Sequence, residues 1–159
     1  MDEMKAVFSS VPYGIDHTLN VLENARQIIK AEKTDWESSV IVELSSVLHD
    51  IGALEAQRKH GSMEGCFQEQ EGPAIARNIL EKYDYEPSII DRTCFIIAHH
   101  HTPEKIDGVD FQILWEADLI ENMQVSEVIK DAVMLKQFIS DNFKTESGKA
   151  LAFSRYAGA

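Results

Sequence analysis

His17, the doublet His49-Asp50 and Asp118 are the residues whose types and spacing could carry chemistry. His17 lies four, eight and eleven positions before Val21, Ala25 and Ile28, so in a helix its imidazole shares their inward face. Asp118 follows Phe111, Leu114 and Trp115 at steps of seven, four and three, which puts a carboxylate on an apolar stripe. An ionised group there needs a cation or several hydrogen-bond donors. With six His and eleven Asp in the chain, a His-Asp doublet arises by chance about 0.4 times, so alone it decides little. A helix-end His steadied by the macrodipole beside a solvated Asp would explain it equally well. Together, however, two inward His and two Asp from three helices can meet on one ion. Such a mixed imidazole and carboxylate set suits Mn, Fe, Co, Ni or Zn, and suits Mg less. An ion held this way acidifies water towards neutral pH and polarises a phosphoryl oxygen, which is hydrolytic chemistry.

Two further groups could serve the same site. His100 and His101 continue the stripe of Ile90, Thr93, Cys94 and Ile97, while one member of the triplet His99–His101 is expected at a solvated helix end. An imidazole near its ordinary pKa of about 6.5 can protonate a leaving oxygen or orient a water. Arg58, Lys59 and His60 form a basic cluster shortly after the doublet, where they either hold a substrate phosphate or form an ordinary exposed patch.

The elements that must position these residues read as helical nearly throughout. Apolar residues recur at three- and four-residue steps over 15–31, with Ile15, Leu22 and Ile29 on the buried side. Thr34 and Glu37 have capping-box spacing before a second helix that carries Val40, Leu44 and Leu48 and ends near His49-Asp50. Residues 52–72 hold Gly52, Gly61, Gly65 and Gly72 with little periodicity, which predicts a loop or lid. Pro73 and Pro87 each suit the first turn of a further helix. The stretches 109–123, 125–142 and 147–156 complete six to seven helices. No segment alternates with period two and no repeat is visible, so the fold class is all-α, a compact helical bundle.

Length and charge set outer limits. At 159 residues the chain suits a single domain over 1–159, with a motif-bearing core at 14–123 and C-terminal helices at 125–156. A net charge of −12 argues against duplex nucleic acid, whose affinity comes from Lys and Arg neutralising phosphates. Cys66 and Cys94 form neither a disulfide framework nor a thiolate metal motif. The acidic start MDEMKAVFSS and the lack of a long apolar run predict a cytoplasmic protein with no membrane partner. Val128, Leu135, Ile139 and Phe143 either complete the core or form a dimer face. Core is expected for most of them, and the chain is a monomer or homodimer.

The wording around the four residues resembles the HD superfamily of metal-dependent phosphohydrolases. The matching segments are GIDHTLNVLENA, ELSSVLHDIGALE, EGPAIARNILEKYDYEPSIID leading to IIAHHHT, and ILWEADLIENM, within residues 14–123. The tail NFKTESGKALAF also looks like small bacterial members. The resemblance implies that His17, His49, Asp50 and Asp118 ligate one divalent transition metal; the residues' own chemistry makes Asp50, with His100 or His101, the candidate catalytic groups. It implies hydrolysis of a small phosphate ester, a nucleotide or related metabolite, by a metal-activated water. Two-metal members add a His just upstream of the Gly of EGPAIA, where this chain has QEQE at 68–71, and this leaves a second ion open. Glu69, Glu71 or His60 could stand in. Ala53 replaces the Lys that many relatives carry after HDxG. A di-iron oxygenase and a non-catalytic metal-stabilised module for a nucleotide or partner are the alternatives.

Overall fold

A computed structural model describes residues 1–156. Its described residues are all-helical, with nine α-helices where six to seven were expected. α1 spans Asp2–Val7, α2 Pro12–Glu32, α3 Trp36–Leu48 and α4 Ala53–His60. α5 spans Gly65–Leu80, α6 Pro87–Ile97, α7 Val109–Asn122, α8 Ala132–Asn142 and α9 Glu146–Tyr156. Among the described residues, no helix is long and apolar enough to cross a membrane.

The boundaries follow local chemistry. Pro12 opens α2 at a position where its missing N–H costs nothing, and Lys33 closes it in a left-handed conformation with φ of 56°. Asp35, rather than Thr34, caps α3 by accepting a hydrogen bond from the Ser38 N–H at 2.9 Å. The span 125–142 is divided because Asp131 caps a new helix, accepting from the Val133 and Met134 N–H groups. Ahead of it lie short 3-10 turns at Met123–Val125 and Glu127–Lys130.

The loop expected at 52–72 is instead α4 and the first half of α5, with Pro73 well inside the helix it was expected to open. Only Gly61 acts as a terminator, at φ of 72°. Gly52 and Gly72 are there for space, since a Cβ on Gly52 would lie 2.6 Å from the Gly72 backbone nitrogen. The helices thus touch backbone to backbone where α5 crosses the turn after α3.

Two apolar clusters fill the interior. One joins α2, α3 and α7 with α8 and α9 through residues such as Ile28, Val42, Leu114, Leu135, Ile139 and Phe143. Val128 packs against it half-buried, so the C-terminal apolar residues finish the core as expected. The other joins α1, α3, α5 and α6 through Met4, Phe8, Leu48, Ile79 and Ile97. The tail 142–153, which showed no chemistry of its own, fastens α7. Fully buried Glu116 accepts from the backbone N–H groups of Lys144 and Thr145 at 2.6 and 2.9 Å, and from the Thr145 hydroxyl. Glu32 of α2 accepts from the Ser147 N–H and hydroxyl. The tail is therefore tied both to α7, which carries Asp118, and to α2, which carries His17.

Candidate metal centre

His17 projects from α2, His49 and Asp50 stand in the turn that ends α3, and Asp118 lies on α7. Tertiary packing brings their ends together. His17 Nε2 lies 3.2 Å from His49 Nε2, 3.4 Å from Asp50 Oδ2 and 3.2 Å from Asp118 Oδ1. His49 Nε2 lies 3.3 Å from Asp50 Oδ2 and 3.7 Å from Asp118 Oδ1. Both imidazoles are buried.

The donor set fits a metal ion. Two ligands each 2.0–2.2 Å from one ion stand about 3–3.5 Å apart, which is close to the spacing observed. His49 Nδ1 faces the Ser46 carbonyl at 3.0 Å, and a carbonyl can only accept, so Nδ1 carries the proton and Nε2 offers its lone pair. That lone pair points at carboxylate oxygens, so two acceptors face each other unless a cation lies between them. Asp118 Oδ1 is buried with no hydrogen-bond partner, an arrangement costly for a carboxylate without an ion. With no ion, the proton itself takes that place. Burial pushes His49 down, but the charge and hydrogen bond of Asp50, with the charge of Asp118, raise it to about 9. Burial likewise pushes Asp50 up, yet His49 and His100 outweigh it and hold Asp50 well below its ordinary value.

The histidine triplet divides three ways. His99 turns aside, its Nδ1 donating to the Phe95 carbonyl and its ring lying against Phe95. His100 is buried, donates from Nδ1 to the Ile97 carbonyl at 2.7 Å, and directs Nε2 at Asp50 Oδ1 from 3.4 Å. His101 is exposed and lines a cavity of 270 Å³. Partial desolvation, with the neighbouring His100, holds its imidazole below the ordinary value. Asp50 thus presents Oδ2 to His17 and His49, and Oδ1 to His100. Ligand atoms of Asp50, His100 and His101 also lie within 4.8 Å of one another.

The cavity opens over the cluster and is lined by His17, Asp50 and Asp118 as well as His101. Arg58, Lys59 and His60 are not among its lining residues. Arg58 forks onto Glu55 with contacts of 2.7 and 2.6 Å. Lys59 bonds Glu71 at 2.5 Å, and His60 contacts the other Glu71 oxygen at 2.9 Å. The basic cluster is therefore committed to carboxylates along α4 and α5. Glu71 is likewise engaged away from the centre. Glu69 accepts from the His101 backbone N–H and the Thr102 hydroxyl, so it fastens the histidine turn rather than replacing a ligand.

Several cavity residues escaped the sequence reading. Phe8, Val11 and Tyr13 come from the N-terminal segment, and Leu54, Met63 and Gln68 from α4, α5 and the turn between them. Phe8 lies in a three-residue 3-10 turn, Val11 precedes α2 and Tyr13 sits in its first turn, a stretch too broken to show periodicity. The adjoining GIDH motif was the available hint that this segment approaches the site.

Comparison with known proteins places the chain in a family. The HD domain family matches residues 14–136, and the chain belongs to it. The fold is also similar to a crystal structure of a predicted HD superfamily hydrolase from an uncultured Thermotogales bacterium, with a TM-score of 0.68 and 26% identity. That likeness covers 99% of this chain and 83% of the other. Among curated proteins, none matches.

Proposed function

We propose that this chain is a metal-dependent phosphohydrolase acting on a small phosphate ester, a nucleotide or a related metabolite. The observation that carries the reading is the convergence of His17 Nε2, His49 Nε2, Asp50 Oδ2 and Asp118 Oδ1 at the floor of the cavity. These four residues hold one divalent transition metal, which supplies Lewis acidity, acidifying water and polarising a phosphoryl oxygen. The Ser46 and Ile97 carbonyls keep His49 and His100 in the tautomer with Nε2 unprotonated, so His49 offers its lone pair to the ion and His100 directs a second one towards Asp50 Oδ1. His101, the imidazole of the triplet that reaches the cavity, moves the proton. In the reaction a water oxygen bonds to phosphorus, the phosphorus–oxygen ester bond breaks, and the water proton ends on the leaving alcohol.

The test is elemental analysis followed by phosphate release from a panel of esters, using chelator-stripped protein reloaded with Mn, Co or Ni. About one ion per chain, with turnover that disappears in Asp118→Ala, is the expected result. No phosphate from any ester, by a protein that holds its metal, would overturn the assignment. About two irons per chain with oxygen consumption would replace it with an oxygenase.

A further inference from the structure

The cavity has one charged floor and a wall that is apolar over much of its extent. Phe8, Val11, Tyr13, Leu54 and Met63 supply that wall. Phe8 is held in place by Gly14, where a Cβ would lie 2.8 Å from the Phe8 ring. Tyr13 and Met63 are exposed, at 72% and 43%, and so remain free to meet a ligand. The remaining polar groups of the lining, beyond the cluster and His101, include the side-chain amides of Gln68 and Asn122. No Lys or Arg lines the cavity. The cations of α4 are neutralised by Glu55 and Glu71.

Charge then limits the ligand. Asp50 and Asp118 carry two negative charges, and one divalent ion cancels them while His17 and His49 ligate as neutral imidazoles. The loaded floor is therefore close to neutral, within a protein of net charge −12. A single phosphoryl group in contact with the ion can be accommodated. Each additional phosphate would bring charge to an apolar rim with no Lys or Arg, in a protein of net charge −12, so its repulsion is offset by no neighbouring cation. The apolar wall instead rewards an organic group that presents a flat or greasy face.

We infer that the substrate is a phosphate monoester with one phosphoryl group, joined to an organic part with an apolar or aromatic face, and that nucleoside di- and triphosphates are discriminated against. The inference rests on the phosphohydrolase reading for its chemistry, but the preference is also visible in binding. The experiment therefore measures both. Metal-loaded protein is titrated calorimetrically with one nucleoside's mono-, di- and triphosphate, with phenyl phosphate and with glycerol phosphate, and phosphate release is followed on the same set.

The monophosphate is expected to exceed the triphosphate by at least about tenfold in affinity and in kcat/KM. Phenyl phosphate is expected to exceed glycerol phosphate by about the same factor. Met63→Lys places a cation at the exposed edge of the cavity, and should narrow the mono- to triphosphate ratio several-fold with metal content unchanged. Equal or tighter triphosphate binding, or a ratio that Met63→Lys leaves unmoved, would overturn the inference. The expected order of binding without any turnover would uphold this selectivity while removing the hydrolase reading. Failure to bind any of the esters would overturn both.

Discussion

Gly52→Ala is expected to damage this protein out of proportion to the single carbon it adds. The new Cβ would lie 2.6 Å from the Gly72 nitrogen, 2.7 Å from the Gln68 carbonyl oxygen and 2.9 Å from Gly72 Cα. All three atoms belong to the α5 backbone, so no rotamer change relieves the overlap. Ordinary contact begins near 3.4 Å, so α5 must retreat from the turn by roughly 0.8 Å, and overpacking of this kind costs about 1–3 kcal/mol. The φ of Gly52 is −79°, accessible to alanine, so backbone strain adds nothing. For a domain of this size each kcal/mol moves Tm by about 2–4 °C, giving a loss of about 2–12 °C. Asp50 lies two residues upstream, so metal affinity should fall as well. The assay is thermal unfolding by circular dichroism in metal-free buffer, with a parallel Mn titration. Gly61→Ala serves as control: nothing lies within 4 Å of its Cβ, but its φ of 72° is strained. It should cost about 1 kcal/mol through the backbone alone and leave the metal titration unchanged. A Gly52→Ala protein that melts with the wild type and binds Mn equally well would refute the close-approach argument.

Other expectations follow from the same geometry. Because His49 is raised to about 9 in the metal-free protein, a metal must displace its proton. Apparent affinity should therefore rise about tenfold per pH unit between pH 7 and 9, with release of a proton measurable in buffers of different ionisation enthalpy. The folded value lies above the unfolded value of about 6.5, so the metal-free protein gains stability from this group fully below pH 6.5 and loses it as pH rises through about 9. Asp118→Ala removes one of the four donors and should weaken metal binding by at least about a hundredfold, read by competition with a chromogenic chelator. Glu116→Ala leaves the Lys144 N–H and the buried Thr145 donors without their acceptor. It should cost about 3 kcal/mol in urea unfolding, and a loss below about 1 kcal/mol would show that the tail does not fasten α7.

The helices that carry the metal centre were legible in the sequence because amphipathic periodicity is a local property. His17 shares a face with Val21, Ala25 and Ile28, and Asp118 shares one with Phe111 and Leu114, whatever the helices later touch. Asp118 therefore had to arrive on an inward face, where a carboxylate needs a cation or several donors, and its buried Oδ1 finds no donor. The family wording then assigned the four ligands to one centre, and their spacing of 3.2–3.7 Å agrees with it. The glycines of 52–72 show the opposite case. In the sequence, a glycine that ends a helix and a glycine that admits another backbone look alike. Gly61 does the first, while Gly52 and Gly72 do the second, and only the crossing of α5 over the α3 turn separates them. The basic cluster is similar. Arg58, Lys59 and His60 display charge, but pairing with Glu55 on the same helix and Glu71 on the next decides that they stay out of the cavity. Which histidine reaches the cavity was also tertiary, because three consecutive residues beyond the end of α6 point in three directions set by Phe95, Asp50 and Gly65. Periodicity reports which face of a helix avoids water. It carries no information about the distance of closest approach between backbones or about which carboxylate a cation will find, since both depend on residues far apart in the chain.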